Sequence, residues 1–269
     1  MNPDQKRSKS YEELPKEVQR LLVLGKKVLR DFQENKGDPF AKMQLERTYG
    51  TFIIESNQVA RQLMQEREFS SALAIFELLL DIIKLTGKRK AEGMMLCNIG
   101  AAYNDLERYQ DALVTLKQAI AIAEELNDRL LKGKGLNNLA SVHANLGELQ
   151  EALVTYQKVL SISQELGDRP WEGRILFNIG SIYHEMNRSE DALFTLLNAL
   201  AIAKAEGRRY EIGMALYNIA RIELEIGQFQ EALNNYRQAL PIIRKFGEHQ
   251  KEEVILKNIA KCLSSLDEK

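Results

Sequence analysis

Five asparagines recur at a constant interval of 40 residues, each among apolar neighbours in a stretch with helical periodicity. Asn is a mediocre helix former because its side chain competes for backbone hydrogen bonds, so its repetition at one position indicates a use. Its amide carries two hydrogen-bond donors and an acceptor oxygen, and can pair with both the N–H and the C=O of an extended peptide. The five are Asn98, Asn138, Asn178, Asn218 and Asn258.

The side chains that catalysis or metal binding would need do not cluster in the sequence. His143, His184 and His249 lie in different repeat units, and the two distant cysteines, Cys97 and Cys262, make neither a disulfide framework nor a zinc motif. The motifs HExxH, CxxC and GxxxxGK[ST] do not occur. We therefore predict a protein that is not an enzyme, with no catalytic residues, no metal and no cofactor.

The composition fits a globular protein without a strong charge of either sign. Of the 269 residues, 45% are apolar and 28% are charged, and 37 basic against 38 acidic side chains give a net charge of −1. This balance argues against nucleic acid and anionic membranes as partners. The polar N-terminus MNPDQKRSKS lacks the apolar core of a secretory signal, and the few cysteines suit a reducing compartment. We expect a cytoplasmic protein.

The segments around the asparagines alternate with a second repeated segment. The first reads LCNIGAAY, LNNLASVH, LFNIGSIY, LYNIARIE and LKNIAKCL, and the second contains Ala-Leu and ends in Gly or Asn. Both carry apolar residues three and four apart, which predicts two helices per unit, A then B, of about 17 residues each. The residues that should end the B helices in a left-handed turn are Gly87, Asn127, Gly167, Gly207 and Gly247.

One helix pair cannot bury its apolar face, whereas stacked pairs can, so the chain is predicted to be all-α and to form an α-solenoid of antiparallel helix pairs. Five pairs of 40 residues are expected over 50–249. A C-terminal capping helix and tail are expected at 250–269.

Upstream of the repeats we expect a disordered N-terminus at 1–10 and an N-terminal helical cap at 11–49. Within that region, Asp38 and Pro39 have the residue types of an N-cap and a first helical position. The alternative is that 11–48 forms a separate helix for a partner or for dimerisation.

The repeated units resemble tetratricopeptide repeats. Each A helix carries a bulky apolar residue such as Leu96, a small residue such as Gly100 and often an aromatic such as Tyr103, and each B helix carries an alanine such as Ala112. The usual repeat has about 34 residues. The 40-residue step and its LxN[IL][GA] motif resemble the long-helix variant found in kinesin light chains and Pins-type polarity adaptors. The resemblance covers about residues 50–266.

This resemblance implies a right-handed α-solenoid, the tetratricopeptide superhelix, whose members bind peptides and proteins as adaptors or scaffolds. It also implies that the face carrying the asparagines lines a concave groove. The sequence departs from the pattern at His143, Glu223 and Leu263, which replace the expected aromatic.

The position of the asparagines on helix A supports a binding role. Asn98 lies roughly 200° around the helix from Gly100, which faces helix B, so the asparagines point away from B. Basic side chains outnumber acidic ones on that face, and two aromatics border it, which favours a peptide with acidic residues and at least one bulky apolar residue. Besides the five asparagines, the predicted peptide-binding residues are Lys134, Arg174, Arg221, Phe177, Tyr217, Lys257 and Lys261.

Three alternatives stay open at this point. The asparagines could bond only to the adjacent A helix or to water. The charged side chains could form a solvated face while the aromatics pack between repeats. The whole chain could be a structural or oligomerisation module that assembles into a homo-oligomer through its terminal helices. RNA binding is disfavoured by the isoelectric point of 6.4.

Overall fold

A computed structural model describes residues 11–35 and 37–267. The predicted disordered N-terminus at 1–10 lies outside the described residues. Within the described part of the chain there are only helices, with no strand. After a 3-10 turn at Tyr11–Glu13, the α-helices are α1 Lys16–Glu34, α2 Pro39–Gln65, α3 Phe69–Thr86, α4 Arg89–Asp105, α5 Tyr109–Glu125, α6 Arg129–Asn145, α7 Leu149–Glu165, α8 Arg169–Glu185, α9 Ser189–Ala205, α10 Arg209–Glu225, α11 Phe229–Lys245 and α12 His249–Asp267.

The helices alternate as the repeat predicts, and α4 to α11 are each 17 residues long. The five asparagines lie on α4, α6, α8, α10 and α12, which are therefore the A helices. The B helices are α3, α5, α7, α9 and α11. From α1 to α6, and again from α7 to α12, each helix packs against the next, which is the α-solenoid arrangement that the sequence predicts.

The predicted ends of the B helices are confirmed. The five residues from Gly87 to Gly247 all have positive φ, between 50° at Asn127 and 72° at Gly87 and Gly247. At Asn127 the N–H of the next residue bonds the carbonyl of Ala123, and its own N–H bonds that of Glu124. This pair of bonds satisfies carbonyls that the end of the helix leaves without partners.

Helix starts are fixed by acidic caps where the sequence provides them. The Asp38 carboxylate accepts hydrogen bonds from the backbone N–H groups of Phe40 and Ala41, and Pro39 is the first helical residue, as predicted. Asp128 and Asp168 cap α6 and α8 in the same way.

The chain divides into two compact units, which we call unit 1, up to Leu146, and unit 2, from Gly147. The core of unit 1 joins α1 to α5 around residues such as Phe76 and Leu79. The core of unit 2 joins α9 to α12 around Tyr236. The position 49/50, proposed as the border between cap and repeats, lies inside the continuous helix α2, so that division stays an interpretation of the sequence. No helix among the described residues has the length and apolar character needed to cross a membrane.

Candidate functional site

Each A helix has two distinct faces. One face, with glycines such as Gly100, packs against a B helix, and the opposite face carries the asparagine. A Cβ atom built on Gly100 would lie 2.5 Å from Leu116 Cγ of α5, and one built on Gly180 would lie 2.7 Å from Leu196 Cγ of α9. Glycine thus permits the close approach of A to B in both units. The asparagines lie on the other side of the A helix and are half-buried.

In unit 1 the asparagines bond to the preceding A helix. The Asn138 amide donates to the backbone carbonyl of Cys97 on α4 at 3.0 Å. The Asn98 amide donates to Asn57 Oδ1 on α2 at 3.5 Å. These contacts fit the structural alternative for the asparagine ladder in this unit.

In unit 2 the pattern changes. The amide of Asn258 donates to the Tyr236 hydroxyl at 2.8 Å. Within the described chain, neither Asn178 nor Asn218 makes a side-chain hydrogen bond to another residue. Their amide groups are therefore available to a ligand, although both side chains are half-buried.

The spacing of the A helices accounts for this difference. In unit 1, α4 and α6 approach each other more closely than α8 and α10 do in unit 2. The α6 helix has Gly135 near Cys97 on α4, with 3.8 Å between a Cβ built on the glycine and the Cys97 sulfur. In unit 2 the repeat-equivalent residues are Ala215 and Phe177, which are larger.

A cavity of about 370 Å³ lies between α8 and α10, and we call it the α8–α10 groove. Five of its residues are Asn218 itself and the residues three and seven positions after Asn178 and Asn218, which lie on one face of each helix. The groove is lined by Ser181, His184, Glu185, Asn187, Leu196, Asn218, Arg221, Ile222 and Glu225. Of the predicted peptide-binding residues, only Asn218 and Arg221 are in this lining.

The predicted cations on the asparagine face of the A helices lack the carboxylate partners that arginines at the helix starts have. Arg188 pairs with Asp191, and Arg208 pairs with Glu211, each within the first turn of a helix. Among the described residues no carboxylate pairs with any of the five predicted cations: Lys134, Arg174, Arg221, Lys257 and Lys261.

The groove also contains acidic side chains. The guanidinium of Arg221 lies over the Tyr217 ring at 5.7 Å from its centroid. Toward the C-terminal end of α10, the Glu225 carboxylate lies 3.6 Å from His184 Nε2. The groove therefore has a basic part at Arg221 and an acidic part at Glu185 and Glu225.

The two predicted aromatics are half-buried, and both pack against the core of unit 2. The rings of Tyr217 and Tyr236 are 6.4 Å apart. Phe177 and Tyr217 thus contribute to packing between repeats, and their role as ligand anchors stays a prediction. Lys134, Lys257 and Lys261 are exposed, and their role in ligand binding also stays a prediction.

Sequence reasoning missed two features of unit 2. His184 lines the groove because it adjoins Glu185, a face position, and that adjacency is the signal that could have found it. Glu223, in the aromatic position of its repeat, is buried, and both its carboxylate oxygens accept from Asn235 Nδ2, at 3.0 and 2.8 Å. Burial raises the pKa of Glu223, while the bonds from Asn235 oppose that shift.

The buried cysteines are unsuited to nucleophilic chemistry. Burial raises the pKa of the Cys97 thiol to about 12, so the reactive thiolate is scarce at neutral pH. No group of three or more potential metal ligands occurs in the part of the chain that the structure describes.

Comparison with known proteins identifies the repeat. Family models of the tetratricopeptide repeat match residues 94–129, 133–205 and 213–249, which together make up more than half of the chain. The chain belongs to the tetratricopeptide repeat family. Its matched segments include four of the five asparagines of this tetratricopeptide repeat protein and the whole α8–α10 groove. No curated protein matches the chain in sequence.

Several solved structures share this fold at low sequence identity. A STAND signal transduction ATPase of Pyrococcus horikoshii, with a tetratricopeptide repeat sensor, is 18% identical with a TM-score of 0.71, over 91% of this chain and 38% of that one. This chain therefore spans well under half of that protein. A Podosopora anserina protein, described as a kinesin light chain with nearly identical TPR-like repeats, is 20% identical with a TM-score of 0.57, over 72% and 96%.

A third structure contains a bound peptide. The Rap conjugation gene regulator of the plasmid pLS20, in complex with the Phr* peptide, is 13% identical with a TM-score of 0.66. The match covers 95% of this chain and 86% of the regulator. At these identities the three likenesses establish the fold alone.

Proposed function

We propose that this chain is a non-enzymatic adaptor or scaffold that binds a peptide segment in the α8–α10 groove. The observation that carries the proposal is that Asn218 and Arg221 line one groove and have neither a hydrogen-bond nor an ion-pair partner among the described residues. A half-buried amide without a hydrogen bond, and a guanidinium whose described contact is the Tyr217 ring and not a carboxylate, favour a ligand that satisfies both. A Rap regulator of the same fold binds the Phr* peptide, which supports a peptide as that ligand.

The chemistry of the groove suggests the form of the peptide. Directly packed helices have axes about 8–10 Å apart, which is the length of about three extended residues. Because the groove separates α8 from α10, a segment in contact with both Asn178 and Asn218 would need more than about three extended residues between these amides. An acidic peptide residue would pair with Arg221 in bidentate fashion, with Arg174 on the neighbouring helix adding to the attraction. A second acidic residue near Glu185 and Glu225 would be repelled.

Leu196 and Ile222 lie beneath the groove and are fully buried, so a bulky apolar peptide residue would contact Phe177 or Tyr217 instead. The use of Phe177 and Tyr217 as further anchors, and of Lys134, Lys257 and Lys261 as further cations, is part of the proposal. Asn98, Asn138 and Asn258 are proposed as weaker contributors because their amides already have partners. A cytoplasmic location is also part of the proposal.

The test is a selection of random peptides of about twelve residues against the full chain, followed by affinity measurements on selected peptides by fluorescence anisotropy. We expect selected sequences to contain an acidic residue next to an apolar one. The double variant Asn178→Ala with Asn218→Ala should weaken binding at least tenfold, as should Arg174→Glu. The matched control is Asn234→Ala with Arg237→Glu, on exposed positions of α11 outside the groove. Binding that survived both the Asn178→Ala/Asn218→Ala variant and Arg174→Glu would refute the proposal.

One observation favours the second candidate, an oligomerisation module that uses a terminal helix. Leu256 of α12 is 46% exposed, whereas its repeat equivalent Leu216 is 3% exposed beneath the B helix α11. Leu263 of α12 is also exposed, at 39%. Mass measurement across a concentration series, with Leu256→Ser and Leu263→Ser, tests this candidate. A homo-oligomer that these changes dissociate, and that binds no selected peptide, would favour it over the peptide scaffold.

A further inference from the structure

The outward face of α9 is unusually apolar. Phe194 is 70% exposed and Leu197 is 52% exposed, and Ala201 and Ala205 continue the exposed face toward the end of the helix. Their spacings of three, four and four residues place all four side chains in one stripe along α9. The opposite face of α9 is already buried in the core of unit 2 through Ala192, Leu196 and Leu200.

The repeat provides an internal comparison. Phe194 and Leu197 have their equivalents in Asn234 and Arg237 on α11, both of which are exposed and polar. On α5 and α7 the equivalents of Leu197 are Lys117 and Gln157, whereas those of Phe194 are Val114 and Val154, smaller apolar residues that are also exposed, at 58% and 41%. The fold therefore does not require apolar residues at these outward positions, and a large exposed apolar patch usually marks an interaction surface.

The order of residues along α9 makes the stripe complementary to the same stripe of a second copy of the chain. An acid, Glu190, precedes the stripe, the large side chains of Phe194 and Leu197 form its first half, and small alanines form the second. A lysine, Lys204, lies in the last turn of the helix. Among the described residues, neither Glu190 nor Lys204 has an ion-pair partner.

We propose that α9 is a self-association surface through which two copies of this chain form a dimer. The two α9 helices run antiparallel, so that Leu197 packs against Ala201 of the second copy. Phe194 then enters the gap between Ala201 and Ala205 of that copy, and Glu190 lies about one helical turn, roughly 6 Å along the axis, from the level of its Lys204, which the long lysine side chain can span. Large residues meet small ones and opposite charges meet at both ends, as an isologous two-fold interface requires. This inference goes beyond the proposed peptide binding.

The dimer is expected to be weak. The stripe covers eleven residue steps, or about 16 Å of helix. A contact along this length of one helix buries less surface than the about 1,200–2,000 Å² of interfaces that hold stable complexes. A dissociation constant in the micromolar range, roughly 10–100 µM, is therefore expected. The two-fold symmetry closes the assembly at two copies.

The test is sedimentation equilibrium of the full chain from about 5 to about 500 µM. The mass should rise with concentration from 30.7 kDa toward twice that value. Phe194→Ser with Leu197→Glu should keep the chain monomeric across the range, with an unchanged circular dichroism spectrum because both positions are exposed. The matched control on α11, Asn234→Ser with Arg237→Ser, should dimerise like the wild type.

A charge exchange tests the antiparallel register. Glu190→Lys should weaken the dimer about threefold to tenfold, and adding Lys204→Glu should restore it. A wild-type mass of 30.7 kDa at all concentrations would overturn the proposal. So would a dimer that persists in the Phe194→Ser/Leu197→Glu variant. A dimer that dissociates only in the α12 variants Leu256→Ser and Leu263→Ser would assign association to α12 and overturn the proposal as well.

Discussion

Asn138 in unit 1 and Asn218 in unit 2 occupy the same position of the repeat, but their surroundings differ. The Asn138 amide bonds the carbonyl of Cys97 on the preceding A helix. Asn218 has no hydrogen-bond partner in the described chain and lines the α8–α10 groove. One sequence signal therefore corresponds to two environments, a structural bond in unit 1 and an open amide in unit 2.

The residue before the asparagine of the preceding A helix differs in size between the two units. Cys97 on α4 is small, and its sulfur would be 3.8 Å from a Cβ atom built on Gly135 of α6, which is packed more tightly against Ile120 of α5. The repeat equivalents in unit 2 are the bulky Phe177 on α8 and Ala215 on α10. Between α8 and α10 there is a groove, and Asn218 makes no hydrogen bond to α8.

The largest expected effect is on stability and concerns a contact that both units share, the packing of a B-helix leucine against an A-helix glycine. Leu116→Ala and Leu196→Ala should each lower the free energy of unfolding by about 2–5 kcal/mol, because both leucines are fully buried. Urea denaturation measures both. Equal losses are expected from the equivalent packing on Gly100 and Gly180. Losses that differ by more than about 2 kcal/mol would show that the two cores are not equivalent.

The next effect concerns ligand affinity. Arg221→Glu should weaken binding of a selected peptide more than tenfold, or by over about 1.4 kcal/mol, because it replaces the groove's unpaired cation with an anion. Lys134→Glu in unit 1 is the matched change and should weaken it less than threefold. Fluorescence anisotropy at low and high salt reports both, and a smaller salt dependence is expected for Arg221→Glu. Equal effects of the two changes would remove the distinction between the units.

Stability should depend on the asparagine of unit 1, whereas peptide affinity depends on that of unit 2. Asn138→Ala leaves the Cys97 carbonyl without its bond and should cost about 1 kcal/mol of unfolding free energy. Asn218→Ala removes no protein contact and should change stability by less than about 0.5 kcal/mol. Thermal denaturation of the two variants without peptide measures this. An Asn218→Ala variant as destabilised as Asn138→Ala would indicate a structural role in both units.

The smallest effect is a pH dependence in unit 2. Because burial raises the pKa of Glu223 above its unfolded value, the folded state binds an additional proton between the two pKa values. Stability from this group is therefore greatest below the unfolded pKa and falls as pH rises through the folded one. Glu223→Gln should remove that decline in urea denaturation between about pH 4 and pH 7. Glu253→Gln, at an exposed carboxyl that does not contribute to the pKa shift of Glu223, should retain it.

The repeat made most of the fold predictable. Helix ends at Gly87 and Asn127 followed from residue types that accept positive φ, and a fixed 40-residue step carried this reasoning from one unit to the next. The face of the asparagines followed from helical geometry alone. What the repeat could not give is the distance between neighbouring A helices, since that depends on pairs such as Cys97 with Gly135 that are distant in sequence.

The site was predictable in outline for the same reason. Asn218 and Arg221 were found because they share a helix face. That Asn138 bonds a carbonyl, and that Phe177 packs into the core, depends on side-chain packing across repeats. The exposed stripe on α9 is visible in the sequence only when Phe194 is compared with Asn234.

The most direct test of the peptide-binding proposal is an NMR titration of the asparagine side-chain amides of the full chain with a selected peptide. We predict that the side-chain signals of Asn178 and Asn218 shift on peptide addition, while those of Asn98 and Asn138 stay in place because their amides already have partners. Shifts at Asn98 and Asn138 without shifts at Asn178 and Asn218 would contradict the assignment of binding to unit 2.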